Sequence, residues 1–149
     1  MALVLAVGLA LLGLTGTGLY WRWSRAALPT VDGALTLPGL QAPVTVRRDA
    51  HGVPHLRASS LPDAMRAQGY VTAQDRLWQM DVMRRSALGE LSEAFGEGAL
   101  RADREMRTLG LNRAARDAES LLPPDVRAAI ESYAAGVNAF VEAQADALP

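Results

Sequence analysis

Hydrophobic and polar positions divide the chain into stretches of different rhythm. Ala2 to Leu19 has no rhythm at all: the run is uncharged and consists mostly of Leu, Val, Ala and Gly. As a helix it would span about 27 Å, close to the hydrocarbon thickness of a bilayer. Tyr20, Trp21 and Trp23 follow, with Arg22 and Arg25 among them, and such amphipathic rings and cations suit a headgroup boundary. Residues 1–25 are therefore expected to form a signal or membrane-anchor segment, with residues 2–23 in the membrane. No basic residue precedes the apolar run, and a signal normally has a basic region first. Taken literally, the two arginines after the run would place the rest of the chain in the cytoplasm; a translation start further upstream would supply a basic region, and the expected location is membrane-anchored or exported, on the periplasmic side.

Residues 26–43 carry Pro29, Pro38 and Pro43 with Gly33 and Gly39, which block a continuous helix. The expectation here is an extended linker with one short strand around Ala34 to Leu37. Val44 and Val46 then alternate with Thr45 and Arg47, the period of a half-buried strand. Asp49 to Gly52 supplies turn residues, and Val53 to Ala58 can return as a second strand, with Pro54 at its edge or start. This predicts a β-hairpin with a loop of about four residues.

From there the rhythm is helical. Pro62 and Asp63 follow Ser60 and Leu61, a helix start, for a short helix to Tyr70 in which Gly69 either weakens the end or allows tight packing. Ala73, Leu77, Met80, Ala87, Leu91 and Ala94 recur at three- and four-residue steps, predicting an amphipathic helix over about 72–95 that Gly96 and Gly98 end. Gly89 would mark a bend, and Asp81 and Arg85 are spaced for an ion pair. Ala99 to Leu122 is a further helical stretch, broken at Gly110. Pro124 opens the last helix, where Val126, Ile130, Tyr133, Val137, Phe140 and Gln144 form a packing seam.

Composition narrows the function classes. The net charge is −1, the cations are all Arg, and there is no Cys. Disulfides and thiolate metal sites are excluded, and the redox compartment stays open. The arginines of 99–122 are interleaved with Asp103, Glu105, Asp117 and Glu119, so no one-sign face suggests nucleic acid. His51, His55 and Asp49 raise the idea of a metal site. Gly52 and Pro54 forbid a helix there, and in a strand the two histidines would lie about 13 Å apart. A hairpin-stabilising Asp and an edge His are the better readings. No Gly-x-Ser-x-Gly elbow, phosphate loop or His-Glu-x-x-His occurs, and Ser59, Ser60 and Ser92 have no His and carboxylate at readable spacing.

What the periodicities leave open, several linked motifs address. Val46-Arg-Arg-Asp-Ala-His-Gly-Val-Pro-His-Leu-Arg-Ala resembles the N-terminal hairpin of the penicillin acylase (penicillin amidase) family. Gly69-Tyr-Val-Thr-Ala-Gln-Asp-Arg-Leu-Trp-Gln-Met-Asp, Arg84-Arg85, Gly89-Glu-Leu-Ser-Glu and Gly96 resemble the helix that follows it. Leu109-Gly-Leu and Tyr133-Ala-Ala-Gly-Val-Asn-Ala-Phe continue the resemblance in order, which covers residues 44–141.

The resemblance implies an α+β fold, the N-terminal part of a four-layer αββα N-terminal-nucleophile hydrolase, with 44–149 as the start of its α-chain region. It implies a precursor that is exported and cleaves itself. The new N-terminal Ser of the β chain then attacks the acyl carbon, with its own α-amino group as base. Substrates would be small acyl amides, the partner would be the β-chain part of the same precursor, and several members hold a structural calcium ion. The nucleophile, the oxyanion-hole donors and the calcium ligands all fall later in the family's chain, and no Gly-Ser pair occurs here. No catalytic, cofactor-binding or metal-ligating residue is therefore assigned to this segment. Arg48, Asp49, Asp75 and Arg76 are expected to be scaffold groups in hydrogen-bonded ion pairs. The alternatives are a membrane-anchored helical adaptor without catalysis, or an inactive paralogue that binds acyl amides.

Overall fold

A computed structural model describes residues 13–22, 25, 28 and 31–145. The chain divides into two compact units, Met1–Leu35 with Gln144–Pro149, and Thr36–Ala143. In the first, helix α1 covers the described residues 13–22, all of them exposed. Most of the expected membrane segment lies outside the described residues. Among the described residues, no helix is long and apolar enough to cross a membrane.

The second unit runs β1 (Thr45–Arg48), β2 (Pro54–Arg57), α2 (Leu61–Leu88), α3 (Leu91–Phe95), a 3₁₀ turn (Glu97–Ala99), α4 (Leu100–Leu109), α5 (Leu111–Glu119) and α6 (Pro124–Ala143). The strands pair antiparallel, with Val46 opposite Leu56 and Arg48 opposite Pro54. The connection is Asp49–Val53, one residue longer than the turn signals suggest, because Val53 stays in the loop to donate its N–H to Asp49. Ala34 to Leu37 is not a strand. Leu37 is buried instead, and the chain after it is pinned to the start of α2.

α2 consists of two helical segments, as expected, but they join at a kink at Arg76 (φ −144°, ψ 24°), five residues later than Val71. Ser60 caps its start by accepting from the Asp63 N–H at 3.2 Å. Gly89 ends it in the left-handed conformation (φ 68°), and its N–H bonds back to the last turn. The region expected as one helix to Phe95 therefore turns at Gly89, and α3 starts separately.

α2 and α6 make the core. They cross where both carry glycine: a Cβ on Gly69 would lie 2.0 Å from the Tyr133 carbonyl oxygen, and one on Gly136 would lie 1.9 Å from that of Arg66. Backbone therefore rests on backbone, the tight-packing role for Gly69. Around the crossing, Ala67, Val71, Ala73 and Phe140 are buried, and Tyr70 meets Phe140 edge-on with centroids 5.4 Å apart. The seam on α6 is only partly covered: Phe140 is buried, while Val126 and Ile130 remain exposed.

Candidate functional site

The densest polar constellation joins the hairpin to the bend of α2. Arg48, at the end of β1, grips Asp75 with both terminal nitrogens, at 2.8 Å each. The same guanidinium donates to Gln74 Oε1 at 3.2 Å and to the Gly52 carbonyl at 3.1 Å. Side-chain exposures of 22% and 28% make this a half-buried, two-pronged ion pair. The Asp75 hydrogen bond holds the Arg48 pKa above its ordinary value. Asp75 is the last residue before the kink, so the hairpin is fastened where α2 departs from ideal geometry.

Asp49 organises the loop beside it. Its carboxylate accepts from the His51 N–H at 2.8 Å and the Val53 N–H at 3.0 Å, and lies 3.2 Å from His55 Nε2. The His55 contact first, then the two backbone donors, lower its pKa. This is a carboxylate used to close a turn. Arg76, expected in an ion pair, forms none among the described residues; its guanidinium reaches Gln79 at 3.5 Å, and its backbone makes the kink.

Two carboxylates that sequence reasoning missed are the most deeply placed polar groups. Asp63 is 2% exposed and accepts from the N–H groups of Gln41 (2.9 Å) and Ala42 (3.3 Å). Asp103 is 4% exposed and accepts from Leu91 and Ser92, both at 2.8 Å, capping α3 from α4. The Gln41 donor does most to lower the Asp63 pKa. At Asp103 burial pushes the pKa up, and the Ser92 and Leu91 donors outweigh it, so the net shift is down. The Pro-Asp pair after Ser60 and Leu61 flagged a helix start, but nothing local flags partners twenty residues away.

These contacts settle what the side chains can do chemically. Ser60 is spent as a helix cap and Ser92 on Asp103. Among the described residues, no three His, Asp or Glu side chains converge to hold a metal ion. The buried carboxylates Asp63 and Asp103 face N–H donors, which repel a cation, so these two do not fit a calcium site. A groove of about 320 Å³ lies at the ends of α2 and α4, lined by Arg107, Arg113 and Arg116 together with Leu88 and Met106. Its residues include no nucleophile and no carboxylate. The constellation fastens the hairpin to the bend of α2.

Similarity to known proteins agrees with this picture. Residues 43–149 match the family described as Penicillin amidase. Penicillin acylase 2 proenzyme from Pseudomonas sp. (strain SE83) is 47% identical over 117 residues, 78% of this chain and 15% of that protein. Acyl-homoserine lactone acylase QuiP from Pseudomonas aeruginosa is 42% identical over 141 residues, 93% of this chain and 16% of that protein. A solved thermostable penicillin G acylase from Alcaligenes faecalis superposes with a TM-score of 0.63 at 34% identity, over 72% of this chain and 58% of that one. The chain thus spans about a sixth of the curated relatives it matches. With its hairpin, clamp and helix crossing in place over the matched residues, this chain belongs to the penicillin amidase family.

Proposed function

We propose that this chain is the N-terminal scaffold of an exported acylase-type amidase precursor. The observation that carries this reading is that acylases of two substrate classes, penicillins and acyl-homoserine lactones, align with most of this chain at 47% and 42% identity. The apolar run Ala2 to Leu19, with its aromatic and arginine boundary, supports export or anchoring on the periplasmic side. The name proenzyme of one relative supports a precursor that is processed into separate chains.

On this reading the chemistry is acyl transfer to water. An N-terminal Ser exposed by self-cleavage, downstream of this segment, adds to the acyl carbon, and its α-amino group takes the proton. The amine leaves, and water then releases the acid. The residues described here hold the hairpin and the first helices against that machinery and touch neither substrate nor nucleophile.

The test is expression of the complete gene product and incubation with benzylpenicillin and with N-acyl homoserine lactones of short and long chain. The expected result is a polypeptide cleaved into two chains that releases free amine from at least one of these amides. A folded product that stays uncleaved and releases no amine from any of them rejects the reading.

A further inference from the structure

The described residues 31–43 are not one uniform linker, although none of them lies in a helix or strand. Val31–Leu35 is exposed throughout, with Val31 at 54% and Leu35 at 55%. These five residues make no hydrogen bond among the described residues. A few residues later the same irregular backbone is held firmly. Leu37 is buried, and the Pro38 carbonyl accepts from Arg66 at 3.0 Å. The N–H groups of Gln41 and Ala42 donate to the buried Asp63 carboxylate at 2.9 and 3.3 Å. Between them Gly39 (φ 81°) turns the chain onto Arg66, so closely that a Cβ there would lie 2.8 Å from the guanidinium carbon. Leu37–Ala42 is thus a strap bound across the first turns of α2, and the second compact unit begins just before it, at Thr36.

We propose that Val31–Leu35 is a processing site at which an endopeptidase releases the apolar N-terminal run, and that the strap Leu37–Ala42 is the stop that ends processing at the edge of the folded unit. The proposal rests on the exported-precursor reading for the run that is released. An endopeptidase needs exposed chain whose backbone groups are free to bind it, and nicking concentrates where the chain offers that. Val31–Leu35 offers it, and the strap does not, because its amides and a carbonyl are already engaged. Cleavage consumes one water and breaks one peptide C–N bond. It leaves a carboxylate on the released run and an amine on the side of the strap. Asp63 on this view does more than start α2: by holding two amides twenty residues upstream it fixes where the folded chain begins.

Limited digestion of the complete gene product with subtilisin, read by mass spectrometry of the new N-termini, tests both halves. Cuts within 31–35 are expected to appear at least about ten-fold faster than any within 37–42, since the strap must first open locally. A chain that resists at 31–35, or that is cut within 37–42 at an equal rate, overturns the proposal. Asp63→Asn weakens the hold on both amides. It should raise cutting within 37–42 by about ten-fold and leave the rate at 31–35 unchanged. The same pattern of cuts as in the unsubstituted chain would remove the strap from its role. If Asp63→Asn does not fold, Arg66→Ala gives the reading instead: it removes the Pro38 contact, leaves Asp63 in place, and should raise cutting within 37–42 by a smaller factor. Amide hydrolysis, measured on the same preparation before digestion, separates the two ideas. Cuts confined to 31–35 without hydrolysis reject the acylase reading and keep the processing site, whereas hydrolysis by a chain cut equally within 37–42 does the reverse.

Discussion

Asp63 and Asp103 keep their charge where water scarcely reaches, and each does so by accepting backbone N–H groups from a segment distant in sequence. A carboxylate so placed tolerates ionisation because the donors replace its hydration. The folded state lowers the pKa of Asp63, Asp103, Asp49 and Asp81, the last through Arg85 and then Arg84. Their stabilisation is therefore fully present above the ordinary carboxylate pKa of about 4 and is lost as pH falls through the lowered values. The melting temperature should stay level from neutral pH to about pH 5 and drop steeply below about pH 4. In the double variant Asp63→Asn with Asp103→Asn, melting at neutral pH should be lower and the acid slope shallower; an unchanged slope would show that these two groups do not govern it. Arg48 differs because its partner keeps some access to water. Arg48→Ala should cost about 1–2 kcal/mol, discounted from a fully buried pair, and should speed amide exchange in β1 and β2 ahead of α6. Arg48→Lys should not restore it, since an ammonium cannot make the two-pronged contact. The Asp49 turn and the Asp81–Arg85 pair were legible because both partners are close in sequence. The two buried aspartates were not: an Asp among arginines looks like a solvated charge until the fold brings its donors.

Among the elements, periodicity located the hairpin and every long helix but misplaced the joints. The joint at Gly89 was visible as a glycine, but whether it bends a helix or ends it depends on Asp103 and Arg107. Arg107 Nε donates to the Gly89 carbonyl at 2.8 Å, and Asp103 takes up the next amides, so the chain turns and α3 begins afresh. The kink at Arg76 has no proline or glycine at its position and no local signal; it coincides with the place where a strand residue from elsewhere grips the helix. The crossing of α2 and α6 gives the sharpest test at this scale. The nearest atoms to an added methyl at Gly69 or Gly136 are all backbone, a carbonyl and an amide nitrogen of the facing helix, with no side chain among them to push aside. Gly69→Ala should destabilise the fold by about 1–3 kcal/mol or more, although alanine is the better helix former. Gly98→Ala, where a Cβ would meet nothing within 4 Å, serves as the control and should change stability little. Equal melting temperatures for Gly69→Ala and the unsubstituted chain would mean that the helices do not meet so closely.

For the molecule as a whole, the balance of buried and open surface carries the meaning. Apolar burial centres on the α2–α6 crossing, while Trp78, Phe95, Leu109, Leu111, Val126 and Ile130 stay exposed. The chain spans about a sixth of the curated relatives it matches. The sequence by itself determined the local matters: the apolar N-terminal run, the hairpin, the helix starts at Ser60 and Pro124, and the chain of motifs that marks the family. Period, capping and turn chemistry act over a few residues and leave their trace there. Only the tertiary structure decided which glycines touch, which aspartates are buried, where α2 bends and which rings stay open. Each of these depends on a partner that folding brings from far along the chain, and no short-range pattern records it.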